Sequence, residues 1–377
     1  MRTAQGMSTS SDSAAAVEEA TQGWPSQPDV VFAFTSTHRS PAAVAEALSR
    51  RFPHALSVGC TTAGEFGLGR HATGSLVATG LFDSDVRWGA SLLPDIDRLT
   101  ADVAIGRVEA LLAACGLSRT APIPEGTFAI LLIDGTRGAE EGVTSLLADA
   151  LEEIPLIGGS AGDDMRFTEA SVFVNGRSAP NAAALVIGVP GPRARVGLLK
   201  HQHFGASDTL LAITDADPDL RLVRSIDGYP AAEAYARALG VPRAELTEKL
   251  AALNPVALTL NGTPYVRSVR EIHPDGSMAF YCAVETGMVV ALASHRDMPE
   301  SLAAGLADEH RRHPDFLLAF NCILRSVEAA EHQLDDRLLE VLASSATTVA
   351  GFDTYGEQFM GVHINQTLVA LTLGGEP

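Results

Sequence analysis

Apolar residues recur along this chain in one repeated order. Strand-like apolar runs at residues 30–34, 128–133 and 316–320 are each followed by a helix-like stretch. After each helix-like stretch comes a second apolar run that ends in a glycine-rich turn, and then a further apolar run. An order of elements that recurs together with its flanks indicates internal repetition. The pattern therefore predicts three strand–helix–strand units.

The glycine-rich turns of the three units have similar sequences. They read LSVGCTTAGE at residues 56–65, PLIGGSAGDD at residues 155–164 and TVAGFDTYGEQ at residues 348–358. Each phrase contains a glycine followed by an acid, and glycine at the end of a buried strand lets the backbone approach a ligand closely. We therefore expect the three turns at equivalent places in superposable units, with at least two of them lining one shared pocket between the halves of the chain.

The order of elements favours an α/β fold, in which mixed sheets are flanked by helices and three strand–helix–strand repeats are divided between two domains. With 377 residues the chain is long enough for two sizeable cores. Residues 1–27 hold almost no large apolar residue before Trp24, which predicts a disordered tail. Two domains, 28–215 and 216–377, then meet near residues 205–225, the natural position for a hinge.

The charge of the chain narrows the range of partners. Lys and Arg number 27 and Asp and Glu number 46, so the formal net charge is −19. This field repels nucleic acids and anionic membranes, whereas a small neutral, zwitterionic or cationic ligand remains compatible. No apolar run reaches the roughly 18 residues that a membrane span needs, and no secretory signal pattern is visible. The four cysteines are isolated in sequence, as in reduced proteins, and we expect a soluble, cytoplasmic protein.

Polar and small residues around the three turns form the expected ligand-binding site. Its members are Cys60, Thr61, Thr62, Glu65, Ser160, Asp163, Tyr355, Glu357 and Gln358. If the turns converge on one cleft, carboxylates with neighbouring hydroxyl groups suit a ligand ammonium or guanidinium group. The alternative is that each acid caps its own turn. Both interpretations stay open for Glu65 and Glu357, and capping is favoured for Asp164.

Two residues of this set raise the alternative of an enzyme. Cys60 lies at a strand-to-turn junction, where a thiol can act as a nucleophile, but the sequence places no base beside it. Ser160 lies in a GxSxG phrase, the nucleophile elbow of α/β-hydrolases, which requires a helix directly after the turn. The residues that follow read instead as turn and strand. Because the three phrases contain no His or Lys to act as a general base, we expect binding without turnover and assign no catalytic residue.

Histidines raise the alternatives of a metal and of a haem. His201 and His203 share one face of a strand without a third ligand nearby in sequence, and His295 has no fixed companion. We therefore predict no metal site. A single axial histidine is enough to hold haem, so haem binding has no spacing signature and the cofactor stays open.

Four segments together resemble the FIST family, in which a FIST N-terminal domain precedes a FIST C-terminal domain. They are GCTTAGE, GGSAGDD with the later FVNGR, RSIDGYPAAEAYARALG, and FNCILR with the later AGFDTYGEQFMGVHINQT. The resemblance extends from about residue 28 to residue 375. It implies that 28–215 and 216–377 are the two FIST-like domains of a bacterial signal-input module, with amino acids as candidate ligands.

The resemblance also implies how the protein acts. The chain carries no kinase, receiver or methyl-accepting segment, so its output is expected to pass through a partner such as a histidine kinase or a cyclic-di-GMP enzyme. A subset of the family resembles haem-binding nitric oxide sensors. The leading interpretation is a cytoplasmic sensor of a small ligand that acts on a signalling partner. The alternatives are a haem-binding nitric oxide sensor that regulates a histidine kinase, and a small-molecule enzyme that uses the glycine–acid turns.

Overall fold

The computed structural model describes residues 1–25, 27–260 and 262–375. The elements of the first part of the chain are β1 (Arg2–Ser8), α1 (Ser13–Ala20), β2 (Val30–Thr35), α2 (Pro41–Arg51), β3 (Leu56–Thr61), β4 (Glu65–Gly67), β5 (Arg70–Ala72), β6 (Leu76–Phe82), β7 (Val86–Pro94) and α3 (Ala101–Ala114). The second unit comprises β8 (Phe128–Asp134), α4 (Glu140–Leu151), β9 (Leu156–Ala161), β10 (Val172–Val174), β11 (Arg177–Ala179), β12 (Ala182–Pro190) and β13 (Ala194–His201).

An inserted region separates the second unit from the third. It comprises β14 (Phe204–Asp217), β15 (Leu222–Ile226), β16 (Tyr229–Pro230), α5 (Ala231–Leu239), α6 (Glu248–Leu253), β17 (Val256–Leu260), β18 (Thr263–Arg267), β19 (Val269–Ile272), β20 (Met278–Phe280) and β21 (Val289–His295). The third unit comprises α7 (Met298–Gly305), α8 (Ala307–Arg312), β22 (Phe316–Cys322), α9 (Ile323–Glu331), α10 (Asp335–Ser345), β23 (Thr348–Thr354), β24 (Glu357–Phe359), β25 (Val362–Ile364) and β26 (Leu368–Gly375). Short 3₁₀ turns occur at Ile96–Arg98 and Arg243–Glu245.

The three units build six-stranded sheets on one plan. Their strand orders are β1-β6-β2-β3-β10-β11, β7-β12-β8-β9-β24-β25 and β13-β26-β22-β23-β4-β5. In each sheet the two strands of the repeat are parallel and are joined through helix, while the neighbouring long strand is antiparallel. The predicted α/β fold with mixed sheets, helical flanks and three repeats is confirmed.

Strand exchange links the units into a ring. The hairpin after each glycine–acid turn joins the sheet of another unit, because β4 pairs with β23, β10 with β3 and β24 with β9. The strand that ends a unit also crosses to the next sheet, β7 to β12 and β13 to β26. The predicted boundary at residue 215 or 216 falls inside β14, and the inserted region begins earlier, at the start of this strand.

The N-terminal segment is ordered, contrary to the predicted disordered tail. Strand β1 pairs with β6 over its whole length and occupies the place that β7 and β13 hold in the other two sheets. Helix α1 buries Ala16, Val17 and Ala20 against β2 and α2. The prediction was wrong because a strand that pairs through its backbone, and a helix that packs closely through small side chains, need no large apolar residue.

Alternate residues of the repeat strands face two different cores. Inward-facing residues of β2, β8 and β22, such as Phe32, Ile130 and Phe320, share one central cluster. Outward-facing residues, such as Val31 and Leu131, pack against the helices of their own layer. Burial on both faces explains why these strands read as continuous apolar runs rather than as alternating ones. None of the helices in the described residues is long and apolar enough to cross a membrane.

The inserted region forms its own sheet, in the order β18-β17-β21-β14-β15-β20-β19 with β16 beside β15, and packs it around Tyr235 and Phe280. The chain enters and leaves this region at one place, because Phe204 at the start of β14 pairs with His295 at the end of β21. Any movement of the inserted region relative to the three-unit core must therefore pass through this crossing.

Candidate functional site

The three glycine-rich turns meet at one end of the central core. Backbone hydrogen bonds link them in a closed cycle, from Gly162 N to Thr61 O (3.0 Å), from Ala63 N to Asp353 O (3.3 Å) and from Tyr355 N to Ser160 O (3.0 Å). Thr61, Ser160 and Asp353 occupy equivalent positions in the parallel strand pairs of the three units. The turns are thus topologically equivalent, and each donates to the next.

Glu65 and Glu357 make the same internal bonds in the first and third units. Glu65 accepts hydrogen bonds from Thr62 Oγ1 (2.5 Å), Ser75 N (3.1 Å) and Ser75 Oγ (2.5 Å). Glu357 accepts from Thr354 Oγ1, and from Thr367 N (3.1 Å) and Oγ1 (2.6 Å). Burial raises the pKa of Glu65 to about 7 and that of Glu357 to about 8, against the opposing effect of these bonds. Such contacts support the capping interpretation, since each acid joins its turn to the strand ten residues later.

Asp163 holds the loop of residues 163–169 in a tight conformation. Its carboxylate accepts from Tyr355 OH (2.6 Å), the amides of Phe167 (2.8 Å), Thr168 (2.7 Å) and Glu169 (3.0 Å), and the Thr168 hydroxyl (2.9 Å). Burial works against the charge, but these bonds hold the pKa of Asp163 below its ordinary value. The loop contains three non-glycine residues with positive φ, which cluster in proteins at functional sites.

The remaining predicted residues lie in the interior. Cys60, Thr61, Thr62, Ser160 and Gln358 are buried, and Gln358 Nε2 donates to Ser160 Oγ at 2.9 Å. Burial, with the charge of Glu65 as a smaller cause, raises the pKa of the Cys60 thiol well above its ordinary value, so this thiol lacks nucleophilic character. Ser160 is not followed by a helix, because the next element is β10. The hydrolase elbow thus lacks the helix that it requires.

An open cleft of about 470 Å³ lies directly outside the turns. Its walls are Gly135, Thr136, Gly138, Glu140, Phe167, Arg221, Arg270, Glu271, Tyr281 and Tyr355. They come from the segment between β8 and α4, the first turn of α4, the 163–169 loop, the turn between β23 and β24, and the inserted region. Ligands of α/β proteins commonly bind beyond the carboxyl ends of parallel strands. Of the nine residues predicted from the sequence, Tyr355 is the one that lines this cleft.

Arg221 spans the cleft with an ion-pair network. Its Nη2 lies 3.0 Å from Glu140 Oε2 and 2.9 Å from Glu141 Oε2, and its Nη1 donates to Tyr281 O at 2.8 Å. Burial raises the pKa of Glu140, and the charge of Arg221 opposes that effect. Arg221 belongs to the inserted region and the two acids to α4, so this network ties the inserted region to the core across the cleft.

Aromatic rings form the second wall of the cleft. Phe167 stacks on Tyr355 with a centroid distance of 4.3 Å and lies 6.4 Å from the Tyr281 ring. The Phe167 side chain is also open to solvent, with 43% of the residue exposed. Sequence analysis missed Arg221 and Tyr281, because no local pattern shows that the inserted region folds back onto the turn of the second unit.

In the fold, His203 and His295 share one partner, Glu328, which no pattern in the sequence indicates. His203 Nε2 lies 3.0 Å from Glu328 Oε2 and His295 Nδ1 lies 3.5 Å from Glu328 Oε1. One atom from each residue lies within 4.8 Å of the others, a spacing that a metal ion could use. However, Arg325 Nη1 donates to His203 Nδ1 at 3.0 Å, which leaves the ring proton on Nε2, facing Glu328. This arrangement suits a shared proton better than a metal ion.

Two cavities in the described part of the chain have a histidine in their walls, which a haem site would need. The chamber beside His71 holds about 30 Å³, roughly the space of one water molecule, and His71 Nε2 is already bonded to Asp353 at 2.7 Å. The groove beside His313 is lined largely by charged residues, including Arg312 and Glu309. Neither offers an apolar slot for a macrocycle, so these residues do not fit a haem.

Comparison with known proteins assigns the chain to a family. The model of the FIST N domain matches residues 29–229, and the model of the FIST C domain matches residues 231–360. No curated protein matches the chain. FIST domains are small-ligand sensing modules of signal transduction. Because the two family models together match most of the chain, from residue 29 to residue 360, the chain belongs to the FIST family.

Proposed function

We propose that this protein is a cytoplasmic sensor that binds a small ligand in the cleft between Arg221 and Tyr355 and passes the signal to a partner protein. The observation that supports this most directly is the ion-pair network of Arg221 with Glu140 and Glu141, which bridges the inserted region and the core at the cleft. A ligand bound here contacts both bodies at once, and can therefore change how they sit together.

The chemistry of the cleft favours a zwitterion with an apolar part. Arg221 and Arg270 supply positive charge and Glu140 and Glu271 supply negative charge, while Phe167 adds an aromatic surface. Mixed charges around an aromatic wall suit the carboxylate, ammonium group and side chain of an amino acid. The net charge of −19 gives no attraction for a large polyanion.

Signal transfer follows from competition at Arg221. A ligand carboxylate that takes one of the Arg221 donors weakens the bond of this arginine to Glu140 or Glu141. Binding then shifts the balance between two positions of the inserted region, to the extent that the ligand prefers one of them. We infer from the family that the protein which reads this change is a histidine kinase or a cyclic-di-GMP enzyme.

Calorimetry with a panel of the twenty common L-amino acids tests the proposal. We expect at least one to bind, and Phe167→Ala to weaken that binding by roughly tenfold, as for a lost aromatic contact of about 1–1.5 kcal/mol. Met165→Ala is the matched control, because Met165 is an equally exposed residue of the same loop that does not line the cleft.

Arg221→Gln, with Arg224→Gln as its control on β15, tests the charged end. Arg224 makes solvent-exposed ion pairs with Asp215 and Asp217, away from the cleft. Failure of the whole panel to bind, or unchanged binding in both Phe167→Ala and Arg221→Gln, would overturn the proposal. Steady conversion of a panel compound to product would favour the enzyme instead.

A further inference from the structure

Phe167 has an unfavourable conformation for a large apolar residue. Its backbone has a φ of 54°, in the left-handed region that bulky side chains avoid, and 43% of the residue is exposed to solvent. Strained residues of this kind persist where the surrounding structure holds them, and they cluster at ligand-binding sites. Because Phe167 lines the cleft, its strained and exposed position indicates a role in holding a ligand there.

One buried carboxylate holds two aromatic rings of the cleft in place. Asp163 accepts from the Phe167 amide at 2.8 Å and from the Tyr355 hydroxyl at 2.6 Å, and the two rings stack with a centroid distance of 4.3 Å. Tyr281, from the inserted region, supplies a third ring, whose centroid lies 6.4 Å from that of Phe167. All three residues line the same cleft and form a preorganised aromatic surface.

The spacing of these rings limits the kind of group that they can hold. A flat ring that inserts between Phe167 and Tyr281 needs about 7 Å between their centroids, because stacked carbon atoms lie about 3.5 Å apart on each side. The observed 6.4 Å is shorter. A compact cation beside both rings fits, since the attraction of a cation to an aromatic face extends to about 6 Å from the centroid.

No cation of the described residues occupies these rings. Within that part of the chain, cation–π contacts form on Phe52, Tyr265 and Tyr229, all of them outside the cleft. Arg270 lines the cleft but makes no such contact with its rings. The aromatic surface is therefore available to a cation that the ligand supplies.

The charges of the cleft also favour a cation. Glu140 and Glu141 lie 3.0 and 2.9 Å from the Arg221 guanidinium group. Arg270 and Glu271 are the other charged residues of its wall, so three carboxylates surround two guanidinium groups. A primary ammonium group loses hydrogen-bonded water against aromatic faces, whereas a fully methylated one has no N–H donors to leave unpaired.

We propose that Phe167, Tyr281 and Tyr355 form an aromatic cage for a methylated ammonium group, so that the ligand of the cleft is an N-methylated amino acid or a betaine. The inference rests on the proposed function in one respect, since the carboxylate of this ligand lies on Arg221. The cage adds the chemical class of the other end. Unmethylated amino acids bind the same site more weakly.

Calorimetry with trimethylglycine tests the cage against two matched ligands. Glycine lacks the methyl groups, and tert-butylacetate has the shape of trimethylglycine without its positive charge. Trimethylglycine should bind the natural protein roughly tenfold more tightly than either, as for a desolvated cation on an aromatic face. Tyr281→Leu and Phe167→Leu should each lose this preference, and Tyr281→Phe should keep it, because the ring contacts the cation. Tyr229→Leu is the control, since Tyr229 is a tyrosine of the inserted region outside the cleft.

Equal affinity for trimethylglycine and tert-butylacetate, or a preference that persists in both Tyr281→Leu and Phe167→Leu, would overturn the cage. Tetramethylammonium chloride separates this failure from that of the sensor proposal, because it carries the cation without a carboxylate. It should compete with trimethylglycine for the natural protein. If it does not compete, while amino acids bind in a manner that depends on Arg221, the sensor proposal survives and the cage does not. If it binds saturably and Tyr281→Leu abolishes this binding, while no amino acid binds, the cage survives and the amino-acid sensor does not.

Discussion

Replacing Glu328 by glutamine should lower the free energy of unfolding more than replacing a glutamate at the surface of the same helix. Glu328 accepts a hydrogen bond from His203 and lies beside His295. These two histidines lie where the chain enters and leaves the inserted region. Arg325 donates to the other ring nitrogen of His203. His203 is fully buried and Glu328 is 4% exposed. A glutamine keeps one acceptor but removes the negative charge from beside a buried guanidinium. A hydrogen bond to a charged group contributes about 1.5–3 kcal/mol, and we expect Glu328→Gln to lower the free energy of unfolding by that amount.

The same cluster gives stability a characteristic pH dependence. The hydrogen bond to Glu328 raises the pKa of His295 above its ordinary value. Because the pKa of His295 is higher in the folded state than in the unfolded state, this residue stabilises the fold fully below its unfolded pKa of about 6.5. Its contribution is lost as pH rises through its pKa in the folded state. Burial works against the Glu328 carboxylate, but bonds from His203 and His295 hold its pKa at about 2. Its own contribution is therefore present above about pH 4.3 and is lost as pH falls towards 2.

Urea unfolding at a series of pH values between 5 and 9 measures the loss of stability in Glu328→Gln and the contribution of His295. The natural protein should lose stability as pH rises above about 6.5, and Glu328→Gln and His295→Gln should each flatten that part of the profile. Glu331→Gln on the same helix is the control, since Glu331 pairs with Lys249 at the surface and its loss should leave the free energy of unfolding almost unchanged. A Glu328→Gln protein as stable as the control, with the pH profile of the natural protein, would refute the stabilising role of the contacts of Glu328 with His203 and His295.

Three further changes test other parts of the fold by the same unfolding assay. Burial raises the pKa of Glu357 to about 8, so the contribution of this group to stability is present below about pH 4.5 and is lost as pH rises through 8. Glu357→Gln should remove this share of the pH dependence, and a profile with the same slope as that of the natural protein would contradict it. Gly162→Val should destabilise by about 1–3 kcal/mol, because a Cβ would lie 3.0 Å from Tyr355 Cε1, whereas Gly106→Ala, in an open helical position, should stabilise by about 0.5–1 kcal/mol. Deletion of residues 1–8 should lower the unfolding midpoint and promote association, because it exposes the edge of β6; a monomer with the natural midpoint would contradict this.

The repeated order of apolar runs was enough to predict the three units, because a strand buried on both faces has a strong local signature. The sequence could not show which sheet each short hairpin joins, since β4 and β23 pair across almost the whole chain. The tail prediction failed for a related reason. Backbone pairing of β1 with β6 depends on an edge that other residues create.

The predicted site residues stay a prediction, and in the fold two of the acids among them, Glu65 and Glu357, accept hydrogen bonds within their own units. A signal for their internal role was present, since a threonine lies three residues before each glutamate and a serine or threonine ten residues after it, as in Thr62, Glu65 and Ser75. The cleft itself depends on Arg221, whose neighbours Glu140 and Glu141 lie about eighty residues away in the chain. No local pattern carries that information.

The ring of exchanged strands has a consequence for the ends of the chain. The amino group of Met1 lies 3.2 Å from the Asp315 carboxylate, and a Cβ atom added to Gly374 would lie 3.6 Å from the Asp315 amide, so both ends of the ring reach the same residue. In the other two units, turns of three residues at 83–85 and 191–193 make the connection that is interrupted here. The order of the units is therefore arbitrary in a topological sense. Circular permutants that join the present ends through a short linker and open at either turn should fold to the same architecture, and a domain fused at either end should emerge from one and the same corner.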